Sequence, residues 1–336
     1  MGFEIGKEQF NQLLASLSKD YDVYAPKVFV GGGRFSDTDV VRYDKVTEID
    51  EVEFDKKSAY SFKEVLTPIS QTLFYFTENE TKVPDEAKKG AVIFLRSCDL
   101  HGLKRLDDMY ENNGPADFYY ERIRSRIKVV LMGCGSTCES GFCVSMGTNK
   151  ADQYDLCVNA RGDHYEVEVK DELFAELLNQ AAKTACDVTP DFVTENKVTV
   201  SIPENLDATV AKSKMWEEYN KRCANCGRCN FVCPTCTCFT MQDLFYDENG
   251  KVGERRRVWA SCMVDGYTDV AGGGSYRRVN GERMRFKTLH KVLDYKERNG
   301  YHMCVGCGRC DDICPEYISF SHIINRLGDA MKEVSE

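Results

Sequence analysis

The spacing of apolar residues shifts between helical and strand periods along the first two hundred positions. Phe10, Leu13, Leu14 and Leu17 recur at intervals of three and four, which predicts a helix over 8–17. From 20 to 30 the apolar positions fall too irregularly for a strand to be assigned, although Val28-Phe29-Val30 is a short apolar run. Gly31-Gly32-Gly33-Arg34 follows it. This segment lacks the Gly-Lys-Ser/Thr of a phosphate loop and the spacing of a dinucleotide fingerprint, so it reads as a flexible turn.

Ala91-Val92-Ile93-Phe94-Leu95 and Ile127-Lys128-Val129-Val130-Leu131-Met132 are continuous apolar runs, as expected of strands buried on both faces. Between them Leu100, Leu103, Leu106 and Tyr110 form a helical stripe. Strand, helix, strand at this separation suits a right-handed parallel crossover. Residues 165–169 alternate like a half-exposed strand, and Leu173, Phe174, Leu177 and Leu178 then mark an amphipathic helix. The stretch 187–203 reads as irregular or strand-like. A helix through Trp216 and Tyr219 is expected next, and an amphipathic helix from Ile318 through Ile323, Ile324 and Leu327 at the end. The fold class expected is α+β: an α/β domain over 1–200 with a partly parallel sheet, then a helical domain over 201–336.

The chemistry begins where the composition turns to thiols. Cys223-x2-Cys226-x2-Cys229-x3-Cys233-Pro234 returns as Cys304-x2-Cys307-x2-Cys310-x3-Cys314-Pro315. This is the bacterial ferredoxin spacing for a [4Fe–4S] cluster. A cubane needs ligands from several directions, and a short loop with Cys at every third position wraps three thiolates around it. In two-cluster proteins the fourth ligand comes from the other run. One cluster then uses Cys223, Cys226, Cys229 and Cys314, the other Cys304, Cys307, Cys310 and Cys233. Each proline, with no N–H and a fixed φ, turns the chain away after the fourth Cys. Structural zinc and disulfides are the alternatives, but neither explains the third Cys and the proline, each repeated. About seventy residues separate Cys233 from Cys304, far more than in a minimal ferredoxin. Such an insertion suggests the helical type of two-cluster domain, each run beginning or ending a helix.

The chain holds 17 cysteines in 336 residues, with no signal-like apolar region at its start and no apolar stretch of membrane-spanning length. In a reducing compartment so many thiols read as metal ligands, and the expected location is the cytoplasm. The net charge of -10 argues against a nucleic-acid partner. Cys98 follows the first buried strand and Cys134 the second, with Cys138 and Cys143 in the adjoining Gly/Ser-rich loop. Carboxyl ends of neighbouring parallel strands meet at one sheet edge, where cofactors collect. These four are therefore candidate ligands of a third [4Fe–4S] cluster, with buried apolar thiols as the alternative. Cys236, Cys238 and Cys262 are read as lining or shielding the clusters, and Cys157 and Cys186 as core residues.

The insertion also carries Arg255, Arg256, Arg257, Arg277, Arg278, Arg283, Arg285, Lys287 and Lys291. This basic concentration reads first as compensation of anionic clusters plus solvated surface, and second as a docking face for an acidic electron partner. No nucleophile elbow, zincin helix, P-loop or dinucleotide fingerprint is present. The simplest function is then electron conduction within a larger redox complex. A self-contained flavoenzyme and a redox-sensing protein are the alternatives.

With these residues in place, the chain resembles the family of iron–sulfur A-subunits of anaerobic sulfite reductase, whose wider group includes beta subunits of sulfhydrogenase-type hydrogenases. The likeness covers almost the whole chain. It rests on Arg96-Ser97-Cys98-Asp99-Leu100-His101-Gly102-Leu103-Lys104, the loop from Cys134 to Thr148, Cys233-Pro234-Thr235-Cys236-Thr237-Cys238-Phe239, Trp259-Ala260-Ser261-Cys262 and Cys304-Val305-Gly306-Cys307-Gly308-Arg309-Cys310. The loop around Cys138 departs from the hydrogenase-type pattern, in which two Cys lie closer together. The resemblance implies an electron-transfer component of a complex, carrying electrons from NADH toward sulfite. Its implied companions are a flavin- and NAD-binding subunit plus a sirohaem catalytic subunit.

Overall fold

The computed structural model describes residues 1–34, 37–179 and 184–335. The chain divides into two compact units. The first comprises Met1–Thr67, Asp85–Cys138 and Thr148–Glu195; the second comprises Pro68–Pro84, Glu139–Gly147 and Asn196–Glu336.

The first unit is built on an eight-stranded sheet. Its centre is parallel: Tyr21–Phe29 pairs with Gly90–Leu95, which pairs with Ile127–Met132, which pairs with Leu156–Ala160. The flanks are antiparallel, through Val40–Lys45 on one side and His164–Val169, Gly2–Gly6 and Thr184–Ala185 on the other. Side chains alternate across a strand, and both faces of this sheet are covered. Val92 and Phe94 pack with Phe10, Leu13, Leu14 and Leu17 of the helix Lys7–Leu17 and with Phe174 and Leu178 of Glu172–Asn179. Ile93 and Leu95 point the other way, into Leu100, Leu103 and Leu106 of the helix Ser97–Tyr110. Burial on both sides is why these strands read as unbroken apolar runs.

The strand Tyr21–Phe29 escaped the periodicity. Only Val23, Ala25 and Pro26 are buried in it, and Pro26 argues against a central strand. The parallel ladder runs from Tyr21 opposite Gly90 to Tyr24 opposite Ile93 and ends before Pro26, so the missing N–H leaves no gap in that ladder.

The second unit joins short helices to a four-stranded antiparallel sheet. The sheet pairs Phe239–Phe245 with Gly253–Trp259, and the latter with Ser70–Phe76. This hairpin lies inside the insertion, which is therefore only partly helical. Phe239–Phe245 is exposed along its whole length, so no buried alternation marks it; Asn249-Gly250 with Gly250 at φ 70° is the turn signal that was available. After the hairpin come turns and a two-stranded ladder of Asp269–Val270 with Gly274–Ser275, and then a helical stretch, Asn280–Leu289 continuing through a π-helical segment His290–Asp294 into Tyr295–Asn299. The single helix expected at the end is two, Phe320–Asn325 and Leu327–Ser335, both packed into a core with Trp216, Tyr219, Met284 and Val292. Ahead of the first cysteine run, Trp216 lies in a 3-10 turn, Lys214–Glu218, and Tyr219 opens a short helix, Tyr219–Arg222, that delivers the chain to Cys223.

Candidate metal centres

The two cysteine runs share one backbone trace. Each contains a short helix, Arg228–Phe231 in the first and Arg309–Ile313 in the second, preceded by a glycine in the left-handed region. Gly227 has φ 73° and Gly308 φ 71°; two positions earlier Asn225 has φ 57° and Gly306 φ 65°. A left-handed residue on either side of the second Cys bends each loop around a common centre, and Gly and Asn are the residues that tolerate it.

Other segments hold these loops in place. Phe142 N–H donates to Gly306 O at 2.7 Å, and Ser140 Oγ donates to Gly308 O at 3.2 Å. A Cβ at Gly308 would stand 2.3 Å from Ser140 O, and one at Gly306 would stand 2.6 Å from Phe142 O. Gly227 is backed instead by the side chains of Ser261 and Val264.

Two cavities result. Cys223, Cys226, Cys229, Cys310 and Cys314 line the first with Met263, Met284 and Lys287. Cys229, Cys233, Cys304, Cys307 and Cys310 line the second with Phe142, Lys287 and Lys291. Thus Cys314 stands with the thiols of the first run, and Cys233 with those of the second. Among the described residues no three His, Cys, Asp or Glu side chains gather tightly enough around a point to hold a single ion. Thiols spread around a hollow fit a multi-iron body, in which each ligand meets a different iron, better than tetrahedral zinc.

The surroundings suit an anionic group. Burial pushes the Cys304 thiol up to about 12, against the pull of the Gly306 N–H. Burial and the neighbouring Asp311 carboxylate drive Cys310 up as well. Thiolates in such places need compensating charge. Backbone N–H groups contribute, Gly306 to Cys304 Sγ at 3.5 Å and Ile318 to Cys314 Sγ at 3.3 Å. Lys287 and Lys291 are buried beside the cavities, and Lys291 Nζ donates to Thr235 Oγ1 at 2.6 Å. Burial opposes charge on Lys291, but Cys233, Cys236 and Cys304 outweigh it and the net shift is upward.

The remaining basic residues of the insertion divide. Arg255 pairs with Asp243 at 2.7 Å on the surface, Arg257 is buried and donates to Gln71, and Arg283 is buried against Asp265. Cys238 and Cys262 hydrogen-bond each other, and Asn230 Nδ2 donates to Cys262 Sγ at 3.1 Å. The Cys262 thiol and N–H hold Cys238 below the usual thiol value, with Lys291 and the Tyr267 hydroxyl adding to the effect. Cys157 is fully buried, whereas Cys186 is half-exposed on the strand edge and is no core residue.

In the first unit, Cys98 sits on the opening turn of Ser97–Tyr110, and Cys134 and Cys138 follow the strand Ile127–Met132. The buried guanidinium of Arg96 lies among them and donates to Cys134 Sγ at 3.4 Å. Burial opposes the charge of Arg96, while Cys134, Cys138 and Cys98 raise its pKa above the usual arginine value. Arg96 Nε and Ser97 Oγ are buried without a partner among the described residues. Cys143 belongs to the second unit, where its Sγ lies 3.7 Å from the Asn196 side-chain amide. Sequence reasoning chose these cysteines and missed Arg96, whose position directly after the strand Gly90–Leu95 was the available signal.

Residues 222–318 match the family model described as a 4Fe-4S dicluster domain. This segment is a 4Fe-4S dicluster domain. The match takes in both cysteine runs and the whole insertion between them, so the hairpin and the lysine-bearing helix are internal to the dicluster domain. The chain is also similar to sulfhydrogenase 2 subunit beta of Pyrococcus furiosus, 29% identical over 305 residues that span 86% of this chain and 90% of the relative. No solved structure matches the chain. Among the described residues no helix is long and apolar enough to cross a membrane.

Proposed function

We propose that this chain is an iron–sulfur electron-transfer subunit, taking electrons from a flavin- and NAD-binding partner and delivering them to a separate catalytic subunit. The observation that carries this reading is the pair of adjacent thiol-lined cavities, each drawing cysteines from both runs and sharing Cys229 and Cys310 on their walls. Cys223, Cys226, Cys229 and Cys314 would hold one [4Fe–4S] cluster and Cys304, Cys307, Cys310 and Cys233 the other. Such clusters accept and release one electron at a time. The chain's own residues fix the distance between the two centres, exclude water with Met263, Met284, Phe142 and Phe320, and balance thiolate charge with buried lysines.

Cys98, Cys134 and Cys138 beside Arg96 support a third metal centre in the first unit; Cys143, the other thiol expected from the sequence, belongs to the second unit. The catalytic partner follows one of two branches. The overall resemblance to the A-subunits of anaerobic sulfite reductase favours a cytoplasmic sulfite reductase complex with a sirohaem subunit. The similarity to a sulfhydrogenase beta subunit over 86% of the chain favours a hydrogenase complex.

Anaerobic copurification from the native cell, with identification of the companion polypeptides and their cofactors, tests the proposal. Iron and acid-labile sulfide at about eight each per chain or more, with a flavoprotein companion, is the expected result. Sirohaem in a companion selects the first branch and hydrogenase activity of the copurified complex the second. Zinc with little iron would sink both.

A further inference from the structure

Lys287 and Lys291 are four residues apart on one helical stretch, so their side chains leave the same face. They are 5% and 3% exposed. Burying an ammonium is costly unless an opposite charge meets it, and among the described residues no carboxylate pairs with either. Lys287 faces Cys229 and Cys310, with the Phe320 ring centre 5.1 Å away; Lys291 faces Cys233, Cys236 and Cys304 and binds Thr235. Their compensating charge is therefore the thiolates of the cavities. Lys287 lines both cavities, whereas Lys291 lines only the second.

The helix is held in register with these cavities. At Lys291 it has widened into the π-helical segment His290–Asp294, a distortion frequent at functional sites. The Lys291 carbonyl accepts hydrogen bonds from Met303 N–H at 2.9 Å and Cys304 N–H at 3.2 Å. His302 Nδ1 lies 2.9 Å from the next carbonyl, Val292 O. The residue that carries the ammonium thus also anchors the backbone at the first cysteine of the second run.

We propose that Lys287 and Lys291 set the reduction potentials of the two clusters, Lys287 acting on both and Lys291 on the one held by Cys304, Cys307, Cys310 and Cys233. The inference rests on the reading that the two cavities hold [4Fe–4S] clusters. Reduction adds one electron to a centre that is already anionic, with no bond made and no proton taken up. A fixed positive charge in a weakly screening interior stabilises the reduced state more than the oxidised one, and so raises the potential. One helix thereby distributes its two charges unequally over the pair and biases where an arriving electron rests.

The test uses the full chain purified without oxygen, with iron and sulfide content measured and both clusters titrated by electron paramagnetic resonance. Lys291→Met should move one cluster signal to a more negative midpoint and leave the other in place, while Lys287→Met should move both. Lys291→Arg and Lys287→Arg should titrate close to the unmodified protein. Iron-replete Met variants with unchanged midpoints overturn the proposal, and so do Arg variants that shift as far as the Met ones. A Met variant that loses iron while its Arg counterpart retains it supports the role of charge; loss in both overturns it. Unmodified protein that lacks iron counts against the parent reading instead.

Discussion

Gly227 and Gly308 occupy the same left-handed conformation, at φ 73° and 71°, one position after the second cysteine of their respective runs. The duplication is thus a repeat of backbone shape as well as of thiol spacing. Their surroundings differ. The nearest atoms to an added Cβ at Gly227 are side-chain atoms of Val264 and Ser261, at 2.6 Å and 2.9 Å; at Gly308 the nearest is the Ser140 backbone oxygen at 2.3 Å. A side chain can turn aside more cheaply than backbone.

Gly308→Ala should therefore be the more damaging substitution. The left-handed backbone costs an alanine about 1–2 kcal/mol at either position, and displacement of the 139–147 segment adds to it at Gly308 alone. Iron content after anaerobic reconstitution, together with unfolding midpoints, should rank the unmodified protein above Gly227→Ala and Gly227→Ala above Gly308→Ala. Equal losses would mean that the Ser140 clamp moves freely.

Cys233 lies on the wall of the cavity formed by Cys304, Cys307 and Cys310. Cys233→Ser should alter the spectrum of the cluster anchored by those three thiols and spare the other. Cys314→Ser should do the reverse, since Cys314 lines the cavity of Cys223, Cys226 and Cys229. Loss confined to the cluster of the mutated residue's own run would refute the exchange.

How much of this the chain disclosed depended on whether the cause was local. The strand Ile127–Met132 and the face of Phe10, Leu13, Leu14 and Leu17 were legible because burial acts directly on neighbouring residues. The break between Phe320–Asn325 and Leu327–Ser335 was not, since both helices carry apolar positions into the same core. The cysteine runs were legible because a cubane dictates their spacing. The residues that surround them were not. Ser140 and Phe142 reach the second run across more than a hundred and sixty positions, and nothing in their own neighbourhood announces a clamp. Lys287 and Lys291 stood out only as members of a basic stretch. Arg255 and Arg256 belong to the same stretch and form ion pairs with Asp243 and Glu254 instead.

Acid should loosen one corner of the first unit through Glu51. Hydrogen bonding to the Lys27 ammonium, then to the Thr47 N–H at 2.7 Å, holds this carboxyl down at about 2 from an ordinary 4.5. The folded state binds the carboxylate form better, so its stabilisation is complete above pH 4.5 and lost as the pH falls toward 2. The pair is partly solvated, which limits its contribution to about 1 kcal/mol or less. Hydrogen exchange at the Thr47 and Glu48 amides should be faster in Glu51→Gln than in the unmodified protein at neutral pH. That difference should disappear through the acid window. A difference that persists at pH 2 would assign the protection to packing.

Arg96 tests whether the first unit carries metal. Its guanidinium is buried, one nitrogen has no partner among the described residues, and Cys98, Cys134 and Cys138 surround it. A buried cation beside a Cys134 thiol that burial has pushed toward the neutral form is poorly balanced. An anionic iron–sulfur centre would supply the missing charge and use the thiols as ligands. Cys98→Ser in the full chain should then remove about four irons and one cluster signal, leaving the two signals of the dicluster domain in place. Arg96→Gln should retain most of that iron but shift the same signal to a more negative midpoint, because the thiols remain while the compensating charge is gone. Unchanged iron in Cys98→Ser would return these cysteines to a structural role, with Arg96 held by the Cys134 thiol and the Phe54 carbonyl.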